Sequence, residues 1–289
     1  MEKIKLYARA KINPMLDVVG KLENGYHSLK MVMQTIDLSD TIFIKKTFTN
    51  SIKVDTNIYW LPTDERNLVY KIAKYLKEEY DIKYGIYINL NKKIPICAGL
   101  AGGSTDGAAT LIGLRDLFKL SISNRELLKI GQDFGTDIPF CIKRGTYLAE
   151  GVGEKLTPLK SFPHCYILVA KPYISISTGG TFEEFDLKNV KEKPDMEKFI
   201  YYLNNEDLDG IGKTLCNVLE TVSIKKYPII ADIKEVMIKN GALGSLMSGS
   251  GSAVFGIFRD KRQAIITKNA LIRTLKVKEV FVTRPFNAK

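Results

Sequence analysis

Four cysteines in 289 residues, at positions 97, 141, 165 and 216, are too few and too scattered for a disulfide framework or a C-x-x-C pair. Only two histidines stand beside them, so a structural zinc site has no obvious ligand set. No apolar run reaches bilayer-spanning length, and the opening residues Met1-Glu2-Lys3-Ile4-Lys5 alternate like a strand instead of forming the apolar core of a leader. A reducing cytoplasm is the expected compartment, with no membrane partner. Acidic residues are in deficit, 32 against 43 basic ones, for a formal charge of +11. A positive field suits polyanions, whether phosphates, nucleotides or nucleic acid. Yet the lysines form no long block, and no RNA-binding or zinc-finger signature accompanies them. Most of the excess therefore reads as solvated surface, and nucleic acid is not an expected partner.

What is present is ordinary globular material: 45% hydrophobic and 26% charged residues, enough for a sizeable core. The length predicts two lobes, with the boundary near Phe162-Pro163, giving an N-terminal lobe of 1–160 and a C-terminal lobe of 161–289. The first hundred residues read mainly as strands and turns: Ile4–Ala10, Leu16–Val19, a turn at Leu22–Tyr26, then alternating Val32, Gln34 and Ile36. Asp64-Glu65-Arg66-Asn67 offers helix-capping chemistry ahead of Val69, Ile72, Ala73 and Leu76 at helical spacing. Gly85–Leu90 alternates as a strand. Ala108 to Phe118 predicts a buried helix, and a second begins near Ser123 or Asn124. The second half reads as a strand at Cys165–Lys171, helices including Ile229–Lys239 stopped by Asn240-Gly241, a strand at Ala253–Phe258, a helix, and a last strand near Val280.

The sharpest signal is Pro95-Ile96-Cys97-Ala98-Gly99-Leu100-Ala101-Gly102-Gly103-Ser104-Thr105-Asp106-Gly107, a glycine-rich turn running from a strand into a helix. Glycines let backbone approach a ligand, and the free N–H groups at a helix start favour phosphate. The spacing is neither G-x-x-x-x-G-K-[ST] nor G-x-G-x-x-G, which disfavours Walker-type NTPases and Rossmann dehydrogenases. The bland alternative is a turn that merely packs a helix on a sheet. A second Gly/Ser cluster, Met247-Ser248-Gly249-Ser250-Gly251-Ser252, is anchored by regular elements on both sides, which fits a nucleotide site better than a linker.

The first loop resembles that of the GHMP kinase superfamily, P-x-x-x-G-L-x followed by small residues that open a helix. Ala10-Lys11-Ile12-Asn13, Asp17 through Gly25-Tyr26-His27, Gln34–Leu38, Asp64–Leu68, Gly135-Thr136-Asp137-Ile138-Pro139-Phe140 and Met247–Gly251 all fall in the order seen in one branch of that superfamily. Together they span nearly the whole chain. The family usually carries Leu-Gly-Gly-Gly and Ser-Ser-Asp-Ala where this chain has Ala101, Thr105 and Gly107, and Pro14 is unusual after Lys-Ile-Asn.

The resemblance implies a two-lobe α+β GHMP kinase fold, with a ribosomal S5 domain 2-like N-terminal lobe and a ferredoxin-like C-terminal lobe. It implies transfer of the γ-phosphoryl group of ATP to a hydroxyl of a small molecule carrying a cytidine diphosphate group. Asp137 falls at the base position, with Lys11 beside it to favour the ionised carboxylate and the substrate alkoxide. Asn67 and Lys92 match positions near the adenosine, and Pro95 through Thr105 would line the phosphates. Asn13 matches a position near the substrate; Tyr26 and His27 suit a cytosine, one stacking and the other bonding its edge, with Phe182 and Thr178 from the segment Ile174–Phe182 opposite. Read alone, Asp137 is a turn residue, Lys11 an exposed lysine and Phe182 a core aromatic. Mg²⁺ is expected because charge develops between the β- and γ-phosphates, with Ser104 a candidate contact and no carboxylate identifying itself as a ligand. The rival readings are a kinase acting on homoserine or mevalonate, which have no base to stack, and a catalytically silent nucleotide- or RNA-binding module.

Overall fold

A computed structural model describes residues 2–288, apart from residues 24, 26 and 191 and the side chain of residue 189. They divide into two compact units, neither continuous in the chain. One comprises Met1–Ala10, Leu38–Ile96 and Ala101–Lys143; the other comprises Lys11–Asp37, Cys97–Leu100 and Arg144–Lys289.

Two long strands supply both units. β1 (Lys3–Lys21) is one 19-residue strand where the pattern predicts two short ones. From Ala10 to Leu16 every residue is buried, Lys11 and Asn13 included, so the polar side of the alternation is not a solvated face here. β2 (His27–Thr47) is also longer than its predicted alternating centre; it is buried without interruption from Met31 to Ile36 and alternates in burial from there to Ile44.

In the first unit, Thr41–Thr47 of β2 pairs antiparallel with β4 (Gly85–Asn91), and β3 (Ile52–Thr56) runs parallel on the far side of β4. α1 (Leu68–Glu79) starts where Asn67 accepts from Val69 N at 2.9 Å and buries Val69, Ile72, Ala73 and Leu76 along one face. α2 (Gly102–Phe118) packs against α1, α3 (Asn124–Phe134, capped by Ser123) and the short α4 (Ile138–Lys143). Leu111 and Leu114 of α2 are fully buried, so truncating either to alanine costs about 2–5 kcal/mol. The Gly135–Phe140 segment is not only a turn: Asp137 leads into α4, and Pro139 sits in its first turn, where a missing N–H is no loss.

In the second unit, β2 pairs through Leu29–Gln34 with β5 (Thr146–Gly151), which pairs in turn with β6 (Lys155–Pro158). A four-stranded antiparallel sheet has the order β11 (Glu279–Thr283), β7 (Tyr166–Lys171), β10 (Val254–Phe258), β9 (Gly244–Met247). α9 (Ile229–Lys239) and α10 (Lys261–Thr274) cover it, alternating with its strands as in a ferredoxin-like lobe. β7 and β10 are buried almost throughout, which is why both read as plain apolar runs. Between them in sequence come α5 (Thr178–Glu184), α6 (Met196–Asn204), α7 (Leu208–Thr214) and α8 (Glu220–Lys226). The two-residue strand β8 (Cys216–Asn217) lies parallel to β1, Met15 opposite Cys216 and Leu16 opposite Asn217. Pro14, which has no N–H to donate, stands just ahead of that ladder.

Candidate active site

The two glycine-rich loops meet in the second unit. Gly99 has φ +72°, and a Cβ on it would lie 2.0 Å from the Ser248 carbonyl oxygen, so both the backbone angle and the approach demand glycine. Ser248 Oγ donates to Gly99 O at 2.9 Å, and Ala253 N donates to Ala98 O at 3.1 Å. Leu100 O accepts from Lys11 N at 3.1 Å, which ties the same loop to β1. On β1, the buried Lys11 donates its ammonium to Asn13 Oδ1, and Asn13 Nδ2 faces Met31 Sδ at 3.4 Å. A Cβ at Gly249 would stand 3.4 Å from both Lys11 Nζ and Asn13 Oδ1. Lys11 is therefore not the exposed lysine its sequence context alone would give.

His27 stacks on Phe182, with ring centroids 5.2 Å apart and planes 22° from parallel. Burial, helped by the Lys21 charge, lowers the His27 pKa, so the imidazole is held neutral with one donor and one acceptor nitrogen. Phe182 lies in α5, whose first residue, Thr178, pairs its hydroxyl with Ser250 Oγ at 2.9 Å. Tyr26 lies outside the described residues.

In the first unit, α2 opens at Gly102 without a side-chain cap, leaving the N–H groups of its first turn free for an acceptor. Gly103 is exposed, and a Cβ there would meet nothing within 4 Å. Uncapped N–H groups with open space before them are a surface chemically suited to an anion. Ala101, where the family has glycine, takes φ +55°, a left-handed conformation that costs a non-glycine residue about 1–2 kcal/mol. At Gly107, where the family has alanine, a Cβ would come 2.9 Å from Ile72 Cδ1 and 3.2 Å from Leu68 Cδ2; bulky neighbours already occupy that space. Pro95 is buried, while Ile96, Ser104 and Ala101 are half-buried beside the exposed Cys97.

Lys92 is almost wholly buried, its ammonium bonded to Asp40 and, at 2.7 Å, to Asp106. Burial works against its charge, but the two carboxylates more than offset this and hold its pKa above the ordinary lysine value. Asp40 also accepts from the backbone N–H groups of Lys93 and Ile94, pinning the strand exit into the loop. Burial pushes the Asp106 pKa well up; Lys92 counters only in part and Asp40 adds to the rise. Asp106 Oδ1 is a buried oxygen without a hydrogen-bond partner. Two carboxylates around one ammonium leave an excess negative charge, which adds to the upward shift at Asp106. Lys92 thus braces the glycine loop with its side chain, and both its backbone polar groups are taken by Asn57, at 2.7 and 3.0 Å. Asn67 is likewise engaged, capping α1 and donating to Pro62 O at 2.7 Å. Asp137 is half-buried, and its carbonyl accepts from Cys141 N in the first turn of α4.

The sequence pattern missed Asp40, which looks like a turn residue after Ser39, and it left Asp106 without a role. Among the described residues, no group of three or more His, Cys, Asp or Glu side chains forms a metal cage. No helix among the described residues is long and apolar enough to cross a membrane.

A mixed α+β molecule with a glycine loop opening a long helix, a second glycine loop locked to it, and a buried lysine on the adjoining strand has the parts of a phosphotransferase. Comparison with known proteins makes this specific. Residues 67–145 match the GHMP kinases N terminal domain and residues 199–277 the GHMP kinases C terminal domain. The chain is 46% identical over 286 residues to a 4-diphosphocytidyl-2-C-methyl-D-erythritol kinase of Lachnospira eligens, covering 99% of each chain. It is 46% identical to the enzyme of that name from Clostridioides difficile, covering 98% of this chain and 95% of that one. A crystal structure of a 4-(cytidine 5'-diphospho)-2C-methyl-D-erythritol kinase superimposes with a TM-score of 0.85 at 26% identity over 99% of this chain and all of the other. A homoserine kinase from Cytophaga hutchinsonii shares the fold at TM-score 0.78 and 19% identity, covering 99% of this chain and 95% of that one. The chain belongs to the GHMP kinase family, with the two-lobe α+β fold that membership implies.

Proposed function

We propose that this kinase transfers the γ-phosphoryl group of ATP to the 2-hydroxyl of 4-diphosphocytidyl-2-C-methyl-D-erythritol, a step in the non-mevalonate synthesis of isoprenoid precursors. One observation carries the reading: end-to-end similarity, at 46% identity, to an enzyme named for that substrate. The two matched family regions lie on either side of residue 160, in keeping with an ATP-binding N-terminal lobe and a substrate-side C-terminal lobe. A cytoplasmic location suits water-soluble substrates of this kind.

In this reading the Asp137 carboxylate accepts the proton of the attacking hydroxyl, and the Lys11 ammonium favours the alkoxide that forms. The oxygen then displaces ADP from the γ-phosphorus in line. The Pro95–Thr105 loop holds the phosphates with backbone N–H groups, and Ser104 is the side chain offered toward Mg²⁺. When bound, that ion neutralises charge developing between the β- and γ-phosphates. Asn67 and Lys92 fix the elements around the adenosine. Asn13 orients the erythritol end, Thr178 supports Ser250, and His27 and Phe182, with Tyr26, take the cytosine. Catalysis is then positioning and charge stabilisation, with no covalent phospho-enzyme.

The experiment is ADP release from ATP and Mg²⁺ with the cytidyl substrate, beside homoserine and mevalonate. Turnover on the cytidyl substrate alone supports the reading. Preference for either rival, or ATP turnover independent of any acceptor, refutes it.

A further inference from the structure

Asn217 stands in the two-residue strand β8, yet its side-chain amide is spent entirely on the second glycine loop and its own turn. Nδ2 donates to Met247 O and to Gly249 O, both at 2.8 Å, and Oδ1 accepts from Leu219 N at 3.0 Å. The side chain is 4% exposed. Only this amide orientation satisfies all three partners, because the flipped one sets a carbonyl oxygen against two others. Glu220 holds the same loop from its other side, accepting from Met247 N at 2.8 Å while its second oxygen takes Lys234.

The loop held this way is the one whose Gly249 lies against Lys11 and Asn13 and whose Ser248 locks Gly99. Asn217 is also hung on β1, the strand that carries Lys11 and Asn13, through the pairing of Leu16 with Asn217 and the bond from Val218 N to Leu16 O at 3.1 Å. One strand thus presents the two polar side chains and seats the residue that sets the wall beside them.

We infer that Asn217 is a positioning residue for phosphoryl transfer: by donating to the carbonyls of Met247 and Gly249 it fixes the second glycine loop against Lys11 and Asn13. The inference rests on the reading that Lys11 serves the reaction.

Asn217→Asp tests it with little change of shape. The carboxylate still accepts from Leu219 N, so the turn into α8 is kept and only the two donations are lost. When ionised, its second oxygen faces two carbonyl oxygens. Burial raises the pKa of such an acid, and so does the Glu220 carboxylate, which holds Met247 N of the same loop. Protonation restores one O–H donor. The expected result is a kcat at least about tenfold below wild type at alkaline pH, with the variant-to-wild-type ratio rising several-fold as pH falls, and KM for ATP changed less than about threefold. A purely structural role gives a lower melting temperature and a kcat ratio per folded molecule that stays near one at every pH, and that outcome overturns the inference. If Asn217→Asp does not fold, Asn217→Ser decides by kcat alone: a tenfold loss with KM for ATP held supports the inference, and wild-type kcat overturns it. Lys11→Met, assayed alongside, separates the two claims. An inactive Lys11→Met beside an unimpaired Asn217→Asp sinks the loop brace and keeps the reading of the site; full turnover in Lys11→Met with an impaired Asn217→Asp does the reverse.

Discussion

Replacing Gly103 with alanine distinguishes a glycine kept for a ligand from one kept for the fold. A Cβ on Gly103 meets no atom within 4 Å, and its φ lies outside the left-handed region. In the first turn of α2, alanine in place of glycine gains up to about 1 kcal/mol through helix propensity and reduced freedom of the unfolded chain. For a chain of this size that corresponds to a rise in melting temperature of roughly 2–4 °C. ATP binding should move the other way, because the methyl group occupies the space in front of the uncapped N–H groups. Losing one charge-assisted hydrogen bond to a phosphate oxygen costs about 1.5–3 kcal/mol. That is about 10- to 150-fold in Kd. Gly99→Ala is the counter-case: its Cβ would lie 2.0 Å from Ser248 O at φ +72°, and overpacking plus the left-handed penalty costs about 2–5 kcal/mol of folding stability. Calorimetric titration with ATP and thermal melts of both variants check the pair. Wild-type ATP affinity in Gly103→Ala would move the phosphate site away from the α2 start and refute the argument.

Asp137→Asn should keep ATP binding and lower kcat by at least about 10², the scale for losing a positioned base, and near wild-type turnover of folded protein removes Asp137 from the mechanism. Phe182→Ala should weaken binding of the cytidyl substrate by about 5- to 150-fold, the equivalent of about 1–3 kcal/mol of stacking, while ATP affinity stays level; equal losses for both ligands, with a lower melting temperature, would make Phe182 a packing residue. The raised pKa of Asp106 means the folded chain holds that proton more tightly than the unfolded one. Its contribution to stability is fully present below the ordinary value of 3.8 and is lost as pH rises through the raised value. The melting temperature of wild type relative to Asp106→Asn should therefore fall as pH rises, and a difference that stays flat across pH refutes the upward shift.

Much of the helical framework was legible because its ends are chemical. Asn67, Ser123 and the Asn240-Gly241 stop mark α1, α3 and α9 within a residue or so, since capping is a local hydrogen bond that the sequence carries in itself. The long strands were legible only in part: alternation runs to Asn13 and breaks at Pro14, and it gives no sign that Lys11 and Asn13 on its polar side are buried. The glycine loop was visible as a motif, but its support was not. Asp40 and Lys92 come together from positions about 50 residues apart, and neither shows any periodicity that points to the other. Asn217 is quieter still, because a two-residue strand has no pattern and its partners are backbone carbonyls, which every residue has.

Because the second unit joins Lys11–Asp37 to residues beyond Arg144, the order of synthesis bears on when β1 can settle. Residues 11–37 leave the ribosome early, but the strand segment at Met15 and Leu16 meets Cys216 and Asn217 only about 200 residues later. Until then the edge of β1 at Met15 and Leu16 lacks its β8 partner and is open to chaperones or to other nascent chains. Lys11 therefore gains the loop beside it late, after nearly all the chain has emerged, and a fragment ending near residue 160 would carry Lys11 without the Gly249 wall.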